Sequence, residues 1–284
     1  MIYISLEQEK TRELPFYLAM EEFVAMTLDI KEAFFMWQVE PSVIFGHNQL
    51  IEKEVNLPYC KEHKISPFNF FMGIYGLYLS RVSNLDEFVI GTPILNRSNS
   101  KEKHTIGMFI SVVPFKISIN HEKSFVDFSS EISADFFNIF RHQKYPYQTL
   151  LEDLRRTHGS IPNLYNIMFS YQNMRNNKQS TKTNYEATWL FNGNTSEDIE
   201  IHFFDVNDTG IINVAYDYKT SKYNTSDIES IHSRILHIIN QIIENNDILL
   251  KEIEIVTPEE KNKILNEFNN TKMDYPRDKT IVEL

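Results

Sequence analysis

Residues 87–119 read EFVIGTPILNRSNSKEKHTIGMFISVVPFKISI. The stretch opens with an apolar segment at 87–93, which predicts a buried strand. A polar run at 96–105 follows and predicts a loop. Apolar residues return at 106–119 and predict two strand pieces separated by a short break. Strands joined by a polar loop at one edge of a sheet are therefore the framework into which the other elements must fit.

Helical patterns lie on both sides of this framework. Residues 66–81 begin with Ser-Pro, a frequent helix start, and are apolar almost all round, which predicts a helix buried on several sides. Residues 56–64 predict a short helix before it, and residues 124–142 carry large apolar side chains on one helical face. Another helical piece is predicted at 147–157. Further strands are predicted at residues 163–172, 199–205 and 210–219.

Two capping boxes predict the starts of the last helices. Ser226 is followed three residues later by Glu229, and Thr257 is followed by Glu260. In such a pair, each side chain accepts a hydrogen bond from the backbone of the other residue. Strands and helices thus alternate along the chain without an internal repeat, which places the protein in the α/β (α+β) class.

The composition excludes several classes of protein. Lys and Arg number 28 against 39 Asp and Glu, a formal net charge of −11, so a general nucleic-acid binder is not expected. No apolar run reaches the ~18–20 residues that span a membrane. The one cysteine, Cys60, excludes an internal disulfide and a cysteine-based zinc site, and it favours a cytoplasmic location.

The glycines and histidines exclude further kinds of site. None of the 8 glycines forms a G-x-G pair or a Gly-Lys-Ser/Thr loop, so a phosphate-cradling nucleotide site is not expected. None of the 9 histidines is adjacent to another or belongs to an H-E-x-x-H arrangement. On this pattern we expect no catalytic residue and no metal site, and we interpret most histidines as packed or solvated.

Four segments resemble, in the family's order, parts of the condensation domains of nonribosomal peptide synthetases. GTPILNR with IGMF resembles the fifth core motif and its lead-in, HQKYPY resembles the sixth, and LRRTHGSIPNLYNIMFSYQ resembles the seventh. The tail resembles the linker that leads into an adenylation domain. The segments lie at residues 91–97 with 106–109, 142–147, 154–172 and 256–281. The resemblance assigns residues 64–256 to the C-terminal lobe of a condensation domain, and residues 257–284 to the linker and the start of an adenylation domain.

The resemblance also implies a fold, an activity and partners. The fold is a chloramphenicol-acetyltransferase-like lobe within the α/β (α+β) class. The parent activity is amide-bond formation between two carrier-bound aminoacyl or peptidyl thioesters. No cofactor is bound directly, because the phosphopantetheine belongs to a partner carrier domain. The expected partners are peptidyl or acyl carrier domains, the missing N-terminal lobe of the condensation domain and a downstream adenylation domain, with no nucleic acid and no membrane.

The resemblance further implies a set of channel residues: Asn96, Arg97, Gly107, Phe109, Ser111, His142, Gln143 and Pro146. From the pattern alone, Arg97 has a structural interpretation beside that of a ligand contact. The sequence departs from the family at Ser111-Val112, which replaces Asn-Thr, at Lys144, which replaces Asp, and at Gln148, which replaces Glu. The catalytic motif of the family, H-H-x-x-x-D-G, belongs to the N-terminal lobe and does not occur in this sequence. We therefore expect the chain alone to form no amide bond.

Residues 1–63 resemble a different family, the lipoate–protein ligases. The similarity lies in PFYLAMEEFVAM at 15–26 and AFFMWQVEPSVIFGHNQLIEKE at 33–54. His47 stands where that family usually has arginine, and the Gly-Gly-Gly loop for lipoate and adenylate does not occur. The sequence thus predicts a chimeric chain that changes from one family to the other within residues 57–66.

Two other functions remain open beside peptide synthesis. One is ATP-dependent attachment of lipoate, which only residues 1–63 support. The other is a non-catalytic module that docks carrier proteins. A lobe without its partner should expose apolar surface, so we also expect the chain to self-associate.

Overall fold

The computed structural model describes residues 47–173, 194–205 and 211–272, together with Thr280 and Val282; side chains are not described for residues 47–57 and Ile211. Residues 1–46, which make up most of the ligase-like segment, lie outside the described residues.

The described strands form one mixed sheet of six strands. The strands are β1 His47–Glu52, β2 Glu87–Ile94, β3 Ser111–Ser118, β4 Ile167–Gln172, β5 Ile199–Phe204 and β6 Ile211–Tyr218. Their order across the sheet is β1-β6-β5-β4-β2-β3. The pairs β1/β6, β5/β6 and β2/β3 are antiparallel, whereas β4 is parallel to both of its neighbours. The edges of the sheet are therefore β1 and β3.

The described helices are α1 Lys53–Glu62, α2 Pro67–Ser83, α3 Ser100–Lys103, α4 Phe125–Arg141, α5 Tyr147–His158, α6 Thr225–Glu244 and α7 Pro258–Asn262. A 3-10 turn at Leu250–Glu252 precedes α7, and a π-helical turn at Lys263–Glu267 follows it. Among the described residues, no helix has the length and apolar character needed to cross a membrane.

Helix α2 is the centre of the core, which confirms the prediction for residues 66–81. The Ser66 side chain caps its start by accepting a hydrogen bond from the Asn69 N–H at 3.1 Å. All residues from 69 to 80 are buried. The Phe71 ring stacks on the Phe203 ring of β5, with their centres 4.5 Å apart. A Cβ at Gly73 would lie 3.2 Å from the Phe125 ring, so the glycine allows α2 to pack closely on α4.

The helix-facing side of the sheet supplies the other half of the core. Alternate residues of β5 and β6 are buried against α2 and α6, as the period of two in a strand requires. Helix α6 contributes a stripe of isoleucines to the same core. The Tyr216 hydroxyl and His232 Nδ1 form a hydrogen bond of 2.8 Å within it.

The structure corrects three local predictions. The cap of α6 is Asn224 with Asp227 and not Ser226 with Glu229: the Asn224 side chain accepts from the Asp227 N–H at 3.1 Å, and Asp227 accepts from the Asn224 N–H at 2.8 Å. Residues 106–110 are not a strand, because β2 ends at Ile94 and its pairing with β3 ends at Ser111. The predicted loop at 96–105 contains the short helix α3.

Candidate functional site

The residues predicted for the channel lie in two segments that the fold brings together. Residues 95–111 connect β2 to β3, and residues 142–147 connect α4 to α5; we call these two segments the motif corner. Lys144 joins them, since its Nζ donates to the Asn96 carbonyl oxygen at 2.7 Å and to Glu102 Oε2 at 3.0 Å. The structure thus places all eight predicted residues in one region of the surface.

Arg97 organises the longer of the two segments. Its Nη1 donates to the carbonyl oxygens of Glu102 and, at 2.6 Å, Thr105, and its Nη2 donates to the Gly107 carbonyl oxygen at 2.8 Å. The guanidinium carbon also lies 4.1 Å from the centre of the Phe109 ring, a cation–π contact. Only arginine offers several donors in a fixed planar fork. Arg97 therefore holds the segment by its backbone, as its structural interpretation implies.

Gly107 occupies a backbone conformation that suits glycine. Its φ of +148° lies in the region that side chains rarely adopt. A Cβ here would meet only the Phe109 ring, at 3.7 Å, so the backbone and not space restricts the position. This conformation leaves the Gly107 carbonyl oxygen on Arg97.

Glu102 is the acidic partner of the motif corner. The Ser98 N–H donates to Glu102 Oε2 at 2.7 Å, and Lys144 contacts the same oxygen. The Ser98 N–H and Lys144 lower the pKa of Glu102 to about 2, so its carboxylate is charged at neutral pH. Lys144, which departs from the aspartate of the resembled motif, thereby forms an ion pair with Glu102 across the motif corner.

The shorter segment positions its residues differently. His142 is the exposed C-cap of α4, and its N–H donates to the Ile139 carbonyl oxygen at 2.9 Å. Gln143 is buried, and its Oε1 accepts no hydrogen bond from the described residues. Pro146 is the N-cap of α5, where its carbonyl oxygen accepts the Leu150 N–H at 3.0 Å. Ser111, in contrast, begins β3 opposite Ile94.

Large apolar side chains are exposed around these residues. Ile106 is 101% exposed and Met108 is 92% exposed. The same holds, to a smaller extent, for Leu95, Ile110, Phe137, Phe140 and Tyr145. Water-exposed apolar side chains in such number are typical of a surface that contacts another protein or a ligand. The exposed apolar surface that the sequence analysis expected is therefore present at the motif corner.

A second polar group lies on the sheet away from the motif corner. Glu200 and His202 of β5 and Asp217 of β6 place three possible ligand atoms within 4.8 Å of one another. Burial alone would lower the pKa of His202, but Asp217 and Glu200 outweigh burial and raise the pKa to about 8. Sequence analysis did not single out this group, because its members meet through strand pairing and not through sequence spacing.

The chain matches a known protein family over most of its length. The model of the condensation domain family matches residues 48–265, so the chain belongs to the condensation domain family. A second family model, the lipoyl protein ligase A/B catalytic domain, matches residues 14–73. The two matches overlap over residues 48–73.

Individual relatives agree with the family match. Surfactin synthase subunit 1 of Bacillus subtilis (strain 168) is 32% identical over 228 residues, which are 80% of this chain and 6% of that protein. The chain thus spans less than a tenth of the length of the curated relatives that it matches most strongly.

Solved structures show the same fold. A four-domain nonribosomal peptide synthetase bound to AMP and glycine superposes with a TM-score of 0.67 at 15% identity, over 78% of this chain and 18% of that one. The condensation domain of a monacolin K polyketide synthase superposes with a TM-score of 0.60 at 17% identity. That match covers 72% of this chain and 49% of the condensation domain structure.

Proposed function

We propose that this chain supplies the C-terminal lobe of a condensation domain in a nonribosomal peptide synthetase. The complete domain would join two carrier-bound aminoacyl or peptidyl thioesters through an amide bond. The observation that carries this proposal is the motif corner, where the eight residues of the resembled motifs meet beside exposed apolar side chains. The family match over residues 48–265 supports it.

The motif corner would form one wall of the substrate channel. Arg97 is a positioning residue here, because its donors go to backbone carbonyl oxygens of its own segment. Met108 and Ile106 are exposed enough to contact the N-terminal lobe or the phosphopantetheine arm of a carrier domain. The expected partners are therefore carrier domains, the N-terminal lobe and a downstream adenylation domain, and we place the assembly in the cytoplasm.

The base that assists the attacking amine would come from the N-terminal lobe. The family's catalytic motif begins with two adjacent histidines, and these 284 residues contain no such pair. The chain would then contribute the shape of the channel and the docking of partners, while the second lobe contributes proton transfer. This division of labour predicts no amide-bond formation by the chain alone.

We propose the predicted domain boundaries for the whole chain: a ligase-like segment at 1–63, the condensation lobe at 64–256 and a linker at 257–284. The predicted join within residues 57–66 falls inside the overlap of the two family matches. Strand β1 precedes this join and pairs with β6, so the segment before the join contributes an edge strand to the sheet.

Reconstitution of the two lobes tests the proposal. The chain is mixed with a separately produced N-terminal lobe of a related condensation domain and two carrier proteins loaded with aminoacyl thioesters, and the dipeptidyl product is measured by mass spectrometry. We expect product only when both lobes are present, and no product with an N-terminal lobe whose second motif histidine is alanine. Product from the chain alone, or none from any active N-terminal lobe that binds the chain, would overturn the proposal.

Lipoate attachment is the second candidate, because the ligase model matches residues 14–73. Calorimetry with lipoate and with ATP separates the two functions. Saturable binding of both, together with transfer of lipoate to an acceptor protein, would favour the ligase. Binding of carrier proteins without any turnover, even with the N-terminal lobe present, would favour the docking module.

A further inference from the structure

Two buried carboxylates face each other across the sheet. In the antiparallel ladder of β5 and β6, Glu200 lies directly opposite Asp217. His202 is two residues further along β5 and shares their face, because alternate residues of a strand point to the same side. Six paired positions, from Ile199 with Tyr218 to Phe204 with Asn213, fix this register.

The distances among these side chains match the size of a metal site. His202 Nε2 lies 3.2 Å from Asp217 Oδ2 and 3.5 Å from Glu200 Oε2. Ligand atoms bound to tetrahedral zinc at ~2.0–2.1 Å are separated by about 3.3–3.4 Å. The three ligand atoms therefore need little movement to surround one such ion.

The charges of the group require a cation. The side chains of Glu200, His202 and Asp217 are only 14%, 6% and 3% exposed. Like charges directly opposite each other destabilise a strand pair, and burial strengthens the repulsion. The lysines nearest in sequence, Lys219 and Lys222, contact Asp198. One divalent ion would balance both carboxylates while the imidazole stays neutral.

Neighbouring atoms leave the required oxygens available. The Thr195 hydroxyl donates to Glu200 Oε1, which orients the carboxylate and leaves Oε2 toward His202. Asp217 Oδ1 is buried and accepts no hydrogen bond from the described residues. Such support of a ligating carboxylate by an outer hydrogen bond is usual in metal sites.

We propose that Glu200, His202 and Asp217 bind one divalent transition-metal ion of the zinc type, with water in the fourth position. An imidazole ligand and short separations favour this class over magnesium and calcium, which prefer six or more oxygen ligands. The ion would link β5 to β6 and so strengthen the sheet behind the core. The sequence analysis expected no metal site, because it considered spacing along the chain and not pairing between strands.

Metal titration of the full chain tests this site. The chain is stripped with a chelator, dialysed and titrated with Zn²⁺ by calorimetry, and with Co²⁺ by visible absorption, which reports tetrahedral coordination. We expect one ion per chain, a higher melting temperature with Zn²⁺, and no comparable effect of Mg²⁺ or Ca²⁺. The melting measurement needs no variant, so it holds even if a substitution impairs folding.

Substitutions assign the ligands. His202→Gln, Asp217→Asn and Glu200→Gln should each weaken Zn²⁺ binding at least about tenfold, the lower end of the loss seen even for outer-shell changes. His121→Gln is the matched control, because His121 also contacts a carboxylate, Asp86 at 2.8 Å, but at the surface. Absence of Zn²⁺ binding, equal stabilisation by Mg²⁺, or unchanged affinity in all three folded variants would overturn the proposal.

Discussion

The guanidinium carbon of Arg97 lies 4.1 Å from the centre of the Phe109 ring, while the same guanidinium donates to carbonyl oxygens on the chain before that ring. The segment between β2 and β3 is therefore closed around one side chain. A loop that lacks regular pairing gains its shape from these contacts, because its backbone oxygens would otherwise be bound by water.

Arg97→Lys should loosen this segment almost as much as Arg97→Ala. A lysine is a single compact charge and cannot hold three carbonyl oxygens in the plane that arginine offers. We expect faster amide hydrogen exchange across residues 102–109 in both variants, with a global loss of about 1 kcal/mol in the free energy of unfolding. Arg156→Ala, which removes an exposed ion pair with Asp153, should leave the exchange pattern unchanged. Full retention of protection in Arg97→Lys would contradict this role.

Phe71→Ala should destabilise the protein strongly, because the ring is buried and stacks on Phe203. Removal of a buried phenylalanine ring costs ~3–5 kcal/mol in the free energy of unfolding. Phe137→Ala is the matched control, since that ring is 62% exposed and its removal should cost little. Urea unfolding followed by circular dichroism measures both. Equal losses for the two variants would be incompatible with the position of α2 at the centre of the core.

The exposed apolar side chains of the motif corner should cause self-association. We expect the chain to form dimers or larger species in analytical ultracentrifugation, and the double substitution Ile106→Ser with Met108→Ser to shift the population toward monomer. Val82→Ser changes an exposed apolar residue at the end of α2 and should leave the distribution as it is. A strictly monomeric unmodified chain that binds no hydrophobic dye would contradict the prediction.

Glu260 should make stability depend on pH in the acidic range. Arg234 Nη2 donates to Glu260 Oε1 at 2.8 Å, and this contact holds the pKa of Glu260 below its ordinary value. The stabilisation is therefore complete above the ordinary glutamate pKa and disappears as the pH falls through the lowered value. Melting temperatures of the unmodified chain and of Glu260→Gln should differ at neutral pH and converge in acid. A constant difference at all pH values would show that the ion pair is not its source.

Local patterns in the sequence predicted the elements that depend on local chemistry. Ser66-Pro67 marked the start of α2, and Thr257 with Glu260 marked the start of α7, because a cap needs only neighbouring residues. Ser226 with Glu229 was wrong as a cap, because Asn224 and Asp227 form an equally good box two residues earlier. Sequence alone offers no means of ranking two overlapping boxes.

Features that depend on pairing between distant segments were less accessible. Residues 106–110 are apolar, and the sequence predicted a strand there, but β2 ends too early to pair with them. Lys144 with Glu102 and Glu200 with Asp217 meet across 42 residues and across a strand pair, respectively. The motif resemblance found the region of the candidate site, whereas the contacts within it became apparent only from the fold.

The strand order has one more consequence. Strand β1 and strand β3 lie at opposite edges of the six-stranded sheet, which separates them by roughly 24 Å at the usual spacing of neighbouring strands. The motif corner leads into β3, and the overlap of the two family matches includes most of β1. In evolutionary terms, the β1 edge is a place where recombination can exchange one leading segment for another without disturbing the motif corner.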